Sequence, residues 1–90
     1  PGGALGIIET FSVAAAICAA DTAVKSAHIQ LIEIRTARGM GGKAVVFFSG
    51  EVSAVKIAGE TAIRKPAQEG LLVGWEVIPS LHPDLWPKIL

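Results

Sequence analysis

The segment Arg38-Gly39-Met40-Gly41-Gly42-Lys43 brings glycines and two cations into one short run. Glycine permits close approach and backbone angles closed to other residues. Successive backbone amides in such a run can point at polar or anionic groups. Arg38 and Lys43 would add positive potential beside them. A phosphate-gripping loop of the nucleotide-binding kind opens a helix. This one leads into Ala44 to Ser49, an apolar run that reads as a strand. Composition alone therefore makes it a connection between two strands.

The other reactive residues do not form a catalytic set. Glu9 has no second carboxylate, Ser–His pair or metal cluster beside it, and is expected to bond nearby backbone N–H groups. His28 and His82 lack a third ligand at useful spacing, so no metal site is expected. His28 reads as a surface residue at the start of a strand, and His82 as shaping the tail. Cys18, on a helix of small residues, is expected to be a buried thiol. A single cysteine excludes an internal disulfide and fits a cytoplasmic setting. Lys25 follows Asp21 by four positions, acid first, as an exposed helical ion pair would. A small phosphatase of acyl groups would need a catalytic Asn, and the chain has none.

Several elements must position these residues. Ala4 to Glu9 reads as a short apolar strand. Ser12 is a plausible helix N-cap, and the helix runs to about Ala27 with Val13, Ile17, Ala20 and Val24 on one face at helical spacing. Ile29 to Ala37 and Ala44 to Ser49 read as strands. Gly50 and Glu51 open a second helix with Val52, Val55, Gly59 and Ala62 in its stripe, and Pro66 marks its end. Leu71 to Ile78 is the last strand, with Leu71, Val73, Trp75 and Val77 on one side. The tail holds Pro83 and Pro87 and should form one helical turn at most. Trp75 reads as core, and Trp86 as either a hydrophobic clasp or a subunit contact.

The order β-α-β-β-α-β predicts an α+β sandwich of ferredoxin-like type: a four-stranded antiparallel sheet, two helices on one face, and a short C-terminal tail. One domain over 1–90 is expected, with a flexible start at 1–3 and a tail over 80–90. Apolar residues point to both sides of the strands, so the second sheet face should need a further layer or a partner.

Bulk properties point the same way. Hydrophobic residues make up 51% of the chain, and mean hydropathy is +0.54. A chain of 90 residues buries only about 60–65% of its unfolded surface when it folds alone. That leaves apolar area for neighbours to cover. The longest uncharged stretch, Thr10 to Ala20, is too short to span a membrane, which takes about 20 apolar residues. The opening Pro1-Gly2-Gly3 does not look like a signal peptide. Formal net charge is zero, which argues against a nucleic-acid partner and for self-association.

Four segments resemble one family. Ala4-Leu5-Gly6-Ile7-Ile8-Glu9-Thr10 is similar to the opening strand of bacterial microcompartment shell proteins. Ala19-Ala20-Asp21-Thr22-Ala23-Val24-Lys25-Ser26-Ala27 resembles their first helix, and Gly50-Glu51-Val52-Ser53-Ala54-Val55 the start of their second. Val77-Ile78-Pro79, followed by His82, resembles their closing strand and turn. Two departures stand out. The loop Gly39 to Lys43 is longer than the usual compact Gly-Ser-Gly turn, and Ser80 and Leu81 stand where an Arg usually precedes Pro-His. Both resemble the second half of tandem shell proteins of the propanediol-utilisation type.

The resemblance implies a structural role rather than an enzyme. Such domains form six-domain discs with a central pore, and the discs tile into a shell within the cytoplasm. It implies Arg38, Gly39, Met40, Gly41, Gly42 and Lys43 at the pore, and Lys25 and His82 at the disc edge. The implied partners are copies of the chain, as a homohexamer or as a trimer of tandem chains, together with other shell proteins and small metabolites in the pore. No nucleic acid or membrane is expected. Some tandem relatives hold an iron–sulfur cluster through a loop cysteine; this loop has none, so no cofactor is expected. The alternative from fold class is an oligomeric regulatory domain that senses a small molecule.

Overall fold

The two long helices each begin where a side chain can satisfy free N–H groups. Ser12 Oγ accepts from Ala15 N at 3.0 Å and starts helix α1, Val13–Ser26. The Glu51 carboxylate accepts from Ser53 Oγ at 2.7 Å and, at 3.4 Å, from Ser53 N, starting helix α2, Val52–Ala62. The structure, a computed structural model, describes residues 3–36 and 42–89.

Four strands of seven residues follow the expected order: β1 Ala4–Thr10, β2 Gln30–Thr36, β3 Ala44–Gly50 and β4 Leu72–Ile78. They form one antiparallel sheet in the order β2-β3-β1-β4. Helix α1 lies over β2, β3 and β1, while α2 lies over β1, β3 and β4. A short helix α3, Arg64–Gln68, follows α2. Pro66 therefore sits within a helical turn and not after one. It still ends α2, because its ring and missing N–H act on the carbonyl four residues back, at Ala62.

The core between sheet and helices joins Ile8, Val46, Phe48 and Val55 to alanines of both helices. Close approach is required there. A Cβ on Gly6 would stand 2.4 Å from the Phe48 ring, and one on Gly59 would stand 2.6 Å from the Trp75 ring.

Helix α1 departs from expectation. Its buried residues are Ala15, Ala16, Ala19, Ala20 and Ala23. Val13, Ile17 and Val24 are instead 38%, 54% and 41% exposed. Burying such a side chain fully stabilises by about 1.5–3 kcal/mol, so the lone domain forgoes part of that three times. Alanine lets the helix backbone lie close to the sheet, and the larger residues are turned to the flank. Cys18 is exposed rather than buried, for the same reason: the helix is rotated toward its alanines.

Strand β4 also departs from simple alternation. Its register with β1 shifts between Glu9 and Thr10, where Gly74 and then Leu72 are the partners. This bulge turns Leu72 to the core and leaves Val73 37% exposed.

The second sheet face is covered by the tail. A 3-10 turn, Pro83–Leu85, runs into a short helix α4, Trp86–Ile89. This exceeds the single turn expected, because each proline stands in the first turn of its segment, where a missing N–H costs little. Trp86 is 7% exposed against Leu5 and Leu81, with Ile7, Ile32, Phe47, Ile78 and Ile89 around them. Trp86 is thus an intramolecular clasp. No helix among the described residues is long and apolar enough to cross a membrane.

Candidate functional site

The sheet has two ends, and the candidate residues divide between them. At one end, Thr36 and Thr10 both pair with Ala44, and Thr10 also pairs with Leu72. Thr10 is fully buried, and its Oγ1 donates to Ser12 O at 2.7 Å, which fixes the entry of α1 beside the end of β1. Strand β2 ends and β3 begins at this end. Gly42 takes φ +85°, in the left-handed region that glycine tolerates. Lys43 Nζ lies 5.4 Å from the centroid of the Phe11 ring. That distance lies within cation–π range. Arg38, Gly39, Met40 and Gly41 lie outside the described residues.

At the opposite end, Gly50 pairs with Ala4, Ser49 with Gln30, and Leu5 with Ile78. Helix α1 ends here, carrying Lys25. Its Nζ is 2.8 Å from Asp21 Oδ2, and the two side chains are 73% and 57% exposed. An exposed pair of this kind stabilises by about 0.3–0.5 kcal/mol, so it leaves Lys25 free for other partners. The tail brings His82 to the same end, just beyond β4. His82 Nδ1 accepts from Asp84 N at 3.1 Å and caps the 3-10 turn. His28 is exposed in the short link between α1 and β2. Seven residues at about 3.3 Å each put the two ends about 20 Å apart. The domain itself is a slab of 32 × 27 × 16 Å.

Nothing in the described residues assembles catalytic chemistry. Among the described residues there is no group of three or more His, Cys, Asp or Glu able to hold a metal. Glu9 is half-buried on the second sheet face, opposite Val45 and Gly74. The hydrogen bonds expected of it to backbone N–H groups are not seen among the described residues. The Glu51 carboxyl is held below its ordinary value by its bonds from the Ser53 hydroxyl and N–H; that is a helix cap. Shallow depressions lie among the described residues. One of about 230 Å³ is lined by Ser12, Cys18, Lys65 and Glu69 among others. Another, about 480 Å³, is lined by Lys56, Glu60, Trp75, Glu76 and Val77.

The sequence reading missed Arg35. It lies one residue before the loop end of β2, with its guanidinium 4.9 Å from the Phe47 centroid. It pairs with Glu33 and donates to the Ile89 carbonyl, tying the tail to the sheet. The signal available was the alternation of β2, which sets Glu33 and Arg35 on the face shared with Phe47.

Known proteins match this geometry over most of the chain. The bacterial microcompartment shell protein PduT of Citrobacter freundii is 44% identical over 87 residues, 97% of this chain and 47% of the relative. The shell protein PduA of the same organism is 38% identical over 97% of this chain and 90% of its own length. The shell protein EutM of Salmonella typhimurium is 37% identical over 91% of this chain and 83% of its own. A crystal structure of a microcompartment protein from Desulfitobacterium hafniense superposes with a TM-score of 0.87 at 46% identity, over 92% of this chain and 46% of that one. The chain thus spans about half the length of PduT and of the Desulfitobacterium protein, and most of PduA and EutM. The BMC domain model matches residues 4–81, and the chain belongs to that family of bacterial microcompartment shell domains.

Proposed function

We propose that this chain is a structural tile of a bacterial microcompartment shell, working by self-assembly and not by catalysis. Six such domains surround an axis, as six copies or as three tandem chains. The β2–β3 connection, Arg38 to Lys43, lines the central hole, through which small metabolites pass. Lys25 and His82 lie at the outer edge and meet neighbouring shell proteins. The shell lies in the cytoplasm.

The observation that carries this reading is the division of the slab into two ends. The β2–β3 connection leaves one end, and Lys25 and His82 occupy the other, about 20 Å away. Copies arranged with one end inward put the other at the rim without rearrangement. The match to shell proteins over nearly the whole chain supports the same role. Electron microscopy of the concentrated protein tests it. Flat sheets or tubes of discs with a central hole are expected, and dispersed single domains would refute it. Met40→Trp should reduce metabolite flux across intact shells while leaving the domain folded.

A further inference from the structure

We propose that Phe11 is a positioning residue for the β2–β3 connection: its ring holds the Lys43 ammonium beside the opening, and so makes the opening favour small anions over small cations. The inference rests on the pore reading above and adds the charge class of solute and the residue that sets it.

Lys43 differs from the other lysines. Lys25, Lys56, Lys65 and Lys88 are exposed, whereas Lys43 is half-buried. Among the described residues it makes no ion pair. Its Nζ lies instead 5.4 Å from the centroid of the Phe11 ring, inside the reach of about 6 Å over which a ring face attracts a cation. Phe11 is itself 46% exposed, so core packing does not account for an aromatic residue there. Its backbone is anchored. Phe11 N donates to Leu71 O at 2.8 Å, and Thr10 just before it is tied to Ser12 O. The Phe11 carbonyl oxygen is also the atom that a Cβ on Gly42 would meet, at 3.8 Å. Phe11 therefore lies beside both Gly42 and Lys43, with its backbone facing the first and its ring the second.

The electrostatics of this corner give the ring its role. Helix α1 starts at Val13, and a helix N-terminus carries partial positive charge. An ammonium beside it is repelled unless something offsets the repulsion. No ion pair does so among the described residues, and the negative face of the ring does. Without the ring, the flexible lysine stem would swing its strongly hydrated charge out to water. With it, copies around the axis place a ring of fixed ammonium groups at the opening. Lysine rings in pores select anions, and their field reaches about 8 Å at physiological salt.

Entry of acetate and of methylammonium into intact shells, compared between the wild-type chain and three variants, tests this. Phe11→Leu keeps an apolar side chain and removes the ring face. It should lower the acetate-to-methylammonium ratio about two- to fivefold. Lys43→Gln should lower it at least as far. Phe11→Trp offers a stronger ring face and should hold the ratio at or above the wild-type value. If Phe11→Leu keeps the wild-type ratio while Lys43→Gln lowers it, the role of Phe11 is overturned and the pore reading stands. An unchanged ratio in Lys43→Gln overturns the charge assignment. Wild-type shells that admit neither solute remove the pore reading, and this inference with it. Should Phe11→Leu fail to assemble, the proton shift of the Lys43 ε-methylene in the wild-type chain decides. The ring current should move it upfield, and a shift equal to that of exposed Lys56 would overturn the contact.

Discussion

Helices α1 and α2 lie side by side on one sheet face, with similar composition and opposite behaviour. Helix α2 buries Val55, Ala58, Gly59 and Ala62, much as its stripe foretells. Helix α1 buries only alanines and turns Val13, Ile17 and Val24 outward. A domain that folded only for itself would place its larger apolar residues inside. The contrast separates a helix that buries its apolar stripe from one that buries alanines and exposes its larger apolar residues.

The contrast is sharpest at matched positions. Val55→Arg places a charge at a fully buried site and should cost about 3–5 kcal/mol, enough to unfold the domain. Ile17→Arg should leave domain stability within about 0.5 kcal/mol while abolishing assembly. Thermal melts and sedimentation of both variants separate the two effects; equal loss of stability would erase the distinction. Next in size is Gly59→Ala. Alanine favours the helix by about 0.8–1.0 kcal/mol, but its Cβ would stand 2.6 Å from the Trp75 ring. Overpacking of that kind costs about 1–3 kcal/mol. A net loss of stability is expected, with a red shift of tryptophan emission as Trp75 is pushed toward solvent. A stabilised protein with unchanged emission would show that the contact yields freely.

Smaller effects fall on the exposed side of α1. Lys25→Ala should change stability by no more than about 0.5 kcal/mol, yet should disrupt sheets of discs seen by electron microscopy. Smallest of all is a pH effect at the start of α2. The folded Glu51 carboxyl is held below its ordinary value, so its cap contributes fully above that value. The contribution disappears as pH falls through the lowered one. Glu51→Gln should flatten this part of the acid-melting profile, and an unchanged profile would remove the cap from the explanation.

Much of this fold is legible in the sequence. Glycine and proline separate the runs, Ser12 and Glu51 mark the helix starts, and the order of elements admits few topologies. The rotation of α1 was not legible. A helical wheel selects Val13, Ile17, Ala20 and Val24 as the larger apolar stripe, but alanine fits either a core or a surface, and close approach to the sheet decides. Exposed Cys18 follows from the same rotation. The bulge beside Val73 depends on pairing with β1, which strand composition does not encode. The tail exceeds its expected single turn because Pro83 and Pro87 stand in first turns, where proline does not break a helix. For the candidate site, the far placement of Lys25 and His82 follows from connectivity. The roles of Arg38 to Gly41 came from resemblance and remain proposals.

On the proposed reading, this domain completes its apolar surface by joining copies of itself. Native mass measurement of the purified protein over a range of concentrations tests it most directly. A closed particle of six domains is expected, persisting on dilution and reduced to single 9.3 kDa chains by Ile17→Arg. A wild-type chain that stays monomeric at high concentration would contradict it.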